Sequence, residues 1–130
     1  MLLDTSGLLC LLHRSELQHE RAVALYRATP RRLTHSYILA EFVALACARK
    51  LPRPEALSFV TDLDRDPSIE TVWVDRVLHA RAFELLERRL DKTYSLCDAV
   101  SFVLMRERGV QEALTTDRHF EQEGLVGLLT

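Results

Sequence analysis

The apolar positions change spacing several times along the chain, and each change predicts an element. Leu2 and Leu3 form a short run apolar on both sides, as in a parallel strand covered on both faces, and Asp4 stops it. Leu8 to Leu12 predict a short helix. A second begins near Glu16, carries Val23, Leu25 and Tyr26, and ends at Thr29-Pro30. Arg31 to Thr34 reads as a weak strand. From Ser36, taken as N-cap, to about Lys50, the residues Ile38, Leu39, Phe42, Val43 and Ala46 make a stripe at helical spacing, with Glu41 on its margin. Leu51-Pro52-Arg53-Pro54 breaks the chain, and Pro54 suits the first position of a helix burying Ala56, Leu57, Phe59, Val60 and Leu63. Ile69 to Val74, β-branched and aromatic, is the clearest strand. Asp75 caps a helix to about Leu90, in which Glu84 and Arg88 have the spacing of an i,i+4 pair. The helix from Ser95 to Gly109 is apolar on nearly all sides and is therefore central. Ala113 to Thr116 is a strand that stops at Asp117. Phe120 to Glu123 predicts a helical turn and Leu125 to Leu129 an edge strand.

Strands alternating with helices imply an α/β fold: a central, mostly parallel, twisted sheet of four to five strands with helices on both faces. Neither a repeat nor a linker divides residues 1–130, so a single domain is expected. The balance of 48% hydrophobic and 28% charged residues is that of a globular protein. No apolar run approaches a membrane span, and no secretory leader precedes the acid at position 4, so a cytoplasmic location is expected. Cys10, Cys47 and Cys97 are widely spaced inside apolar segments and read as small buried hydrophobes. The five histidines have no short metal-ligand spacing and read as surface or satisfied residues. Asp62, Asp64 and Asp66 alternate as in a calcium loop, but Pro67 and Trp73 stand where that loop needs glycine and a bidentate glutamate.

The chemistry lies in four acids. Asp4 and Asp117 end strands; Glu41 and Asp98 lie near the starts of helices that follow loops. In a parallel sheet all four positions face the crevice beyond the carboxyl ends of the strands. Ser95 and Asp98 also match a capping box, which leaves one carboxylate oxygen free. Two carboxylates ~4 Å apart repel by about 4 kcal/mol at an effective dielectric of 20. Four together would raise one another's pKa or force the site apart unless a cation joins them. All-oxygen ligands favour Mg²⁺ or Mn²⁺ over zinc, and carboxylate-bound metal suits attack of water on a phosphodiester. The net charge of −2 excludes a globally basic nucleic-acid coat, but removing four site acids leaves the rest of the chain at +2.

These stretches carry a resemblance. Leu3-Asp4-Thr5-Ser6, Leu39-Ala40-Glu41-Phe42, Ser95-Leu96-Cys97-Asp98-Ala99 and Leu114-Thr115-Thr116-Asp117-Arg118-His119-Phe120 are similar, in order and across the whole chain, to the motifs of PIN domains. The chain resembles VapC-type toxin ribonucleases in particular. The resemblance implies a three-layer α/β/α sandwich, a homodimer, Mg²⁺- or Mn²⁺-dependent cleavage of RNA, and a small antitoxin protein as partner. It makes Asp4 and Asp98 the principal metal ligands. Glu41 would orient or activate water, Asp117 would complete the metal shell, and Thr5, Ser6 and Thr116 would be supporting donors. The chain departs from several relatives in having Arg118 and His119, rather than further acids, after Asp117.

Other readings fit less well. A haloacid-type phosphotransfer enzyme needs a second acid where Ser6 stands. A receiver domain needs a lysine on a late strand, and the lysines are Lys50 and Lys92, neither in a strand. A catalytically silent PIN-like binding module would not need all four acids. A PIN nuclease of RNA processing, working without an antitoxin, differs from a toxin in genomic context alone.

Overall fold

The computed structural model describes residues 1–130. Its elements are β1 (Leu2–Leu3), α1 (Thr5–Leu12), α2 (His19–Ala28), β2 (Arg32–His35), α3 (Ser36–Ala48), α4 (Arg53–Arg65), β3 (Ile69–Val72), α5 (Arg76–Glu87), α6 (Leu96–Arg108), β4 (Glu112–Leu114), α7 (His119–Gln122) and β5 (Val126–Gly127). The five strands form one sheet in the order β3-β2-β1-β4-β5, and every pair is parallel. Right-handed crossovers then put the helices joining β1, β2 and β3 on one face and α5 to α7 on the other. The result is the three-layer α/β/α sandwich.

The order matters for the site. The chain runs outward from β1 through β2 to β3, then crosses back to β4 on the other side of β1. The direction of winding reverses between β1 and β4, and beyond the carboxyl ends of those two strands a crevice opens.

The core contains β1 and most of α6, with Leu2, Leu3, Phe102, Met105 and Phe120 fully buried. Phe102 packs edge-on against both Tyr94 and Phe120. The α3 stripe buries Ile38, Leu39, Phe42 and Ala46 as the spacing predicts, with Glu41 on the exposed side. The α4 face is thinner than expected: Ala56 and Leu63 are buried, but Leu57 is exposed.

Several local expectations change. The N-cap of α3 is His35, whose Nδ1 accepts the Ile38 N–H at 3.3 Å, while Ser36 Oγ instead accepts the Val74 N–H at 2.9 Å. Ser36 is thus spent on closing the sheet edge. Strands β3 and β5 are shorter than their apolar runs, because pairing to one neighbour only ends before those runs do. Glu84 and Arg88 do not pair; the ion pairs of this region run from Arg81 to Glu107 and from Arg89 to Glu123, between elements. Cys10 and Cys97 are buried, but Cys47, at the end of α3, is exposed. No helix is long and apolar enough to cross a membrane.

Candidate active site

Asp4 follows β1 and occupies the N-cap position of α1, but its side chain makes no capping bond. The carboxylate is held elsewhere. Its Oδ2 accepts the Thr115 hydroxyl at 2.7 Å and the Ser6 hydroxyl at 3.1 Å. Each hydroxyl also accepts a backbone N–H from behind, Thr115 from Asp117 and Ser6 from Thr116, both at 3.0 Å, and the two hydroxyls lie 3.1 Å apart. Sheet register explains Thr115. Leu3 lies opposite Leu114, so the next residues along, Asp4 and Thr115, meet at the strand ends.

Asp98 is the third residue of α6. Its Oδ2 accepts the Ser95 N–H at 3.0 Å and its own N–H donates to Ser95 Oγ at 3.0 Å, a complete capping box. The start of α6 is fastened to β2 as well. His35 Nε2 lies 2.8 Å from Ser101 Oγ, and Ser101 Oγ donates to the Cys97 carbonyl at 3.1 Å. Because Ser101 spends its proton on Cys97, Nε2 is the donor and Nδ1 the acceptor, so His35 is neutral. Burial agrees, pushing its pKa down to about 3.

Glu41 stands in the second turn of α3, exposed, on the rim of the crevice. Its charge, with those of Asp4 and Asp98, converges on the Cys97 thiol, which burial and these three acids hold far above the ordinary thiol range. Asp4, Glu41 and Asp98 therefore all lie within electrostatic reach of Cys97. Asp117 follows β4 and meets the group through His119. The His119 Nδ1 lies 2.9 Å from Asp98 Oδ2 and 3.3 Å from Asp117 Oδ2.

At Asp4 burial, more than crowding, sets the electrostatics. Asp4 is 5% exposed, and burial raises its pKa from 3.8 to about 6. Hydrogen bonds from Thr115, the Thr5 backbone and Ser6 pull it back, and the Asp98 charge adds to the rise. Mutual repulsion is thus a secondary contribution. An anionic Asp4 in this setting calls for a cation. The donors present fit a hard divalent ion: carboxylates gathered at one edge, their orientation fixed by hydroxyl and amide donors, with Asp98, Asp117 and His119 offering atoms within 4.8 Å of one another.

Comparison with known proteins identifies the family. The model of the PIN domain family matches residues 1–124. The chain belongs to the PIN-domain family. Over 124 residues it is 31% identical to the 23S rRNA-specific endonuclease VapC20 of Mycobacterium tuberculosis, a match spanning 95% of this chain and 93% of that protein. The crystal structure of M. tuberculosis VapC20, described as a Sarcin-Ricin loop cleaving toxin, superposes with a TM-score of 0.88 at 27% identity, covering 96% of this chain and 95% of that one. FitAcB from Neisseria gonorrhoeae superposes with a TM-score of 0.66 at 17% identity, over 97% and 94% of the two chains, and shares the fold alone.

Set against this PIN-domain geometry, the supporting donors shift by one residue. Thr116 is exposed and contributes its backbone N–H, while Thr115 supplies the hydroxyl. The Thr5 hydroxyl is buried without a partner. Sequence reading passed over Thr115, His35 and His119. Thr115 needed the β1–β4 register. His119 had a visible signal, its place two residues after Asp117, but no ligand spacing to other histidines.

Proposed function

We propose that this chain is a Mg²⁺- or Mn²⁺-dependent endoribonuclease, the toxin of a toxin–antitoxin pair. The observation that carries the reading is the buried Asp4 carboxylate, held by two hydroxyls beside Asp98 at the switch point of the sheet. Its support is the whole-length likeness to VapC20. RNA is the substrate class, and 23S ribosomal RNA, for which VapC20 is named, is the first target to test.

Asp4 and Asp98 would be the principal ligands of the divalent ion. When bound, the ion supplies charge for the phosphate and lowers the pKa of water to generate the nucleophile. The protein does the rest by position. Thr115 and Ser6 fix Asp4, and the Ser95 N–H fixes Asp98, so neither carboxylate has to reorganise as charge develops. Glu41, exposed, would orient or activate the attacking water. Asp117 belongs to the same acidic shell, one step further out, with its oxygens turned to His119. We propose further that the chain works in the cytoplasm as a homodimer and is neutralised by a small antitoxin.

The test is cleavage of end-labelled ribosomal RNA with added Mn²⁺. Discrete cuts that disappear with chelator are expected, and Asp98→Asn should lower the rate by at least about a hundredfold. Full activity in Asp98→Asn, or in chelator, would sink the mechanism. A folded wild type that makes no cuts and does not arrest growth when expressed would favour a silent binding module.

A further inference from the structure

His119 sits where oxygens of two acids would otherwise be free. Its Nδ1 faces Asp98 Oδ2 at 2.9 Å and Asp117 Oδ2 at 3.3 Å. A lone pair pointed at two carboxylate oxygens would be repelled, so Nδ1 carries a proton and donates it. The ring is braced from behind. Nε2 lies 3.1 Å from Thr93 Oγ1, and Tyr94 packs edge-on at 5.3 Å between ring centres. Tyr94 in turn donates to Glu123, which Arg89 and Arg106 also grip. Asp117 is held a second time, its Oδ1 accepting the His119 backbone N–H at 2.9 Å.

The distribution of free oxygens follows. Asp4 Oδ2 takes two hydroxyls. Asp98 Oδ2 takes the Ser95 N–H and the His119 ring. Both oxygens of Asp117 face His119. The Oδ1 atoms of Asp4 and Asp98 accept from no side chain and remain for a ligand. A second ion about 3.5–4 Å from a first would need further oxygens, and the candidates are the ones His119 engages. The ligand atoms of these three residues lie within 4.8 Å of one another because the imidazole bridges the two carboxylates.

We infer that His119 is a positioning residue that reserves Asp98 Oδ2 and Asp117, so that the site takes one divalent cation, between Asp4 and Asp98, and not two. This rests on reading the site as a metal-dependent nuclease centre. The experiment is titration of the full metal-free chain with Mn²⁺ by calorimetry, with electron paramagnetic resonance of the loaded protein. Wild type should bind one ion with the spectrum of an isolated Mn²⁺. His119→Ala frees the reserved oxygens and should bind two ions, with the spectrum of a coupled pair. His119→Asn, whose amide nitrogen can face the same oxygens, should return the ratio to one. Asp117→Asn removes a charge beside the site and weakens Mn²⁺ binding, but the folded variant should still bind one ion with the spectrum of an isolated Mn²⁺. Two ions in wild type would overturn the inference alone, as would one ion in a folded His119→Ala. Complete loss of Mn²⁺ binding in a folded Asp117→Asn would do the same, since Asp117 would then be a ligand. No Mn²⁺ bound by wild type would overturn both this inference and the metal-dependent reading.

Discussion

At the residue scale, Asp4 shows that the site is held at a cost to the fold. Its carboxyl is raised from 3.8 to about 6, so its stabilising contribution is complete below pH 3.8 and is lost as pH rises through 6. That shift corresponds to about 3 kcal/mol. His35 works in the opposite sense over the same window. It is lowered to about 3, so its contribution is complete above the ordinary histidine value of 6.5 and is lost as pH falls. The pH profile of the wild type therefore mixes the two, and a difference separates them. In chelator, Asp4→Asn should be no more stable than wild type near pH 4 and more stable by up to about 3 kcal/mol at pH 7, by urea unfolding. An advantage independent of pH would show that Asp4 is not strained by burial. Thr115→Val removes the 2.7 Å donor to Asp4 and keeps its volume. It should weaken Mn²⁺ binding by about ten- to a hundredfold while leaving far-ultraviolet dichroism unchanged.

At the element scale, two helices are placed by unlike devices. Helix α1 lies so close to β4 that a Cβ on Gly7 would sit 1.9 Å from the Leu114 carbonyl oxygen. That oxygen also accepts the Asp4 N–H at 3.3 Å, so a displaced α1 would drag Asp4 and Ser6 away from Thr115. Gly7→Ala should cost at least about 3 kcal/mol in chemical unfolding and reduce cleavage in whatever fraction stays folded. Wild-type stability in that variant would mean that α1 shifts freely. Helix α6 relies on its cap. Its first turn carries Asp98 in a box with Ser95, and Gly109 ends it in the left-handed conformation at φ 65°. Ser95→Ala should lower stability by about 1 kcal/mol. It should weaken metal binding much less, because the bond to Asp98 Oδ2 comes from the Ser95 backbone N–H, which alanine keeps.

At the scale of the whole molecule, the site sits at the reversal of winding between β1 and β4 and draws on both halves of the chain. Asp4 and Glu41 come from the half that winds outward to β3, and Asp98 and Asp117 from the half that returns. Binding an ion there ties the halves together, so metal affinity becomes global stability. Saturation at a hundredfold over Kd should add about 2.7 kcal/mol, seen as a higher melting temperature that chelator reverses. The gain should be larger at pH 7 than at pH 5, where a proton competes at Asp4. An equal gain in Asp4→Asn would place the ion elsewhere.

The sequence alone determined the α/β class, the buried stripe of α3, the stop of β1 at Asp4, and the Ser95–Asp98 box. All of these are local: period, propensity and capping act within a few residues, and the chain states them directly. Only the tertiary structure decided which neighbours serve the acids. Thr115 rather than Thr116 reaches Asp4 because the β1–β4 register sets it there. His35 rather than Ser36 caps α3 because Ser36 is drawn to Val74. His119 reaches Asp98 because α7 packs beside α6, a contact between residues 21 apart in sequence. A hydroxyl or an imidazole in a sequence has many possible partners, and the packing of distant segments selects one.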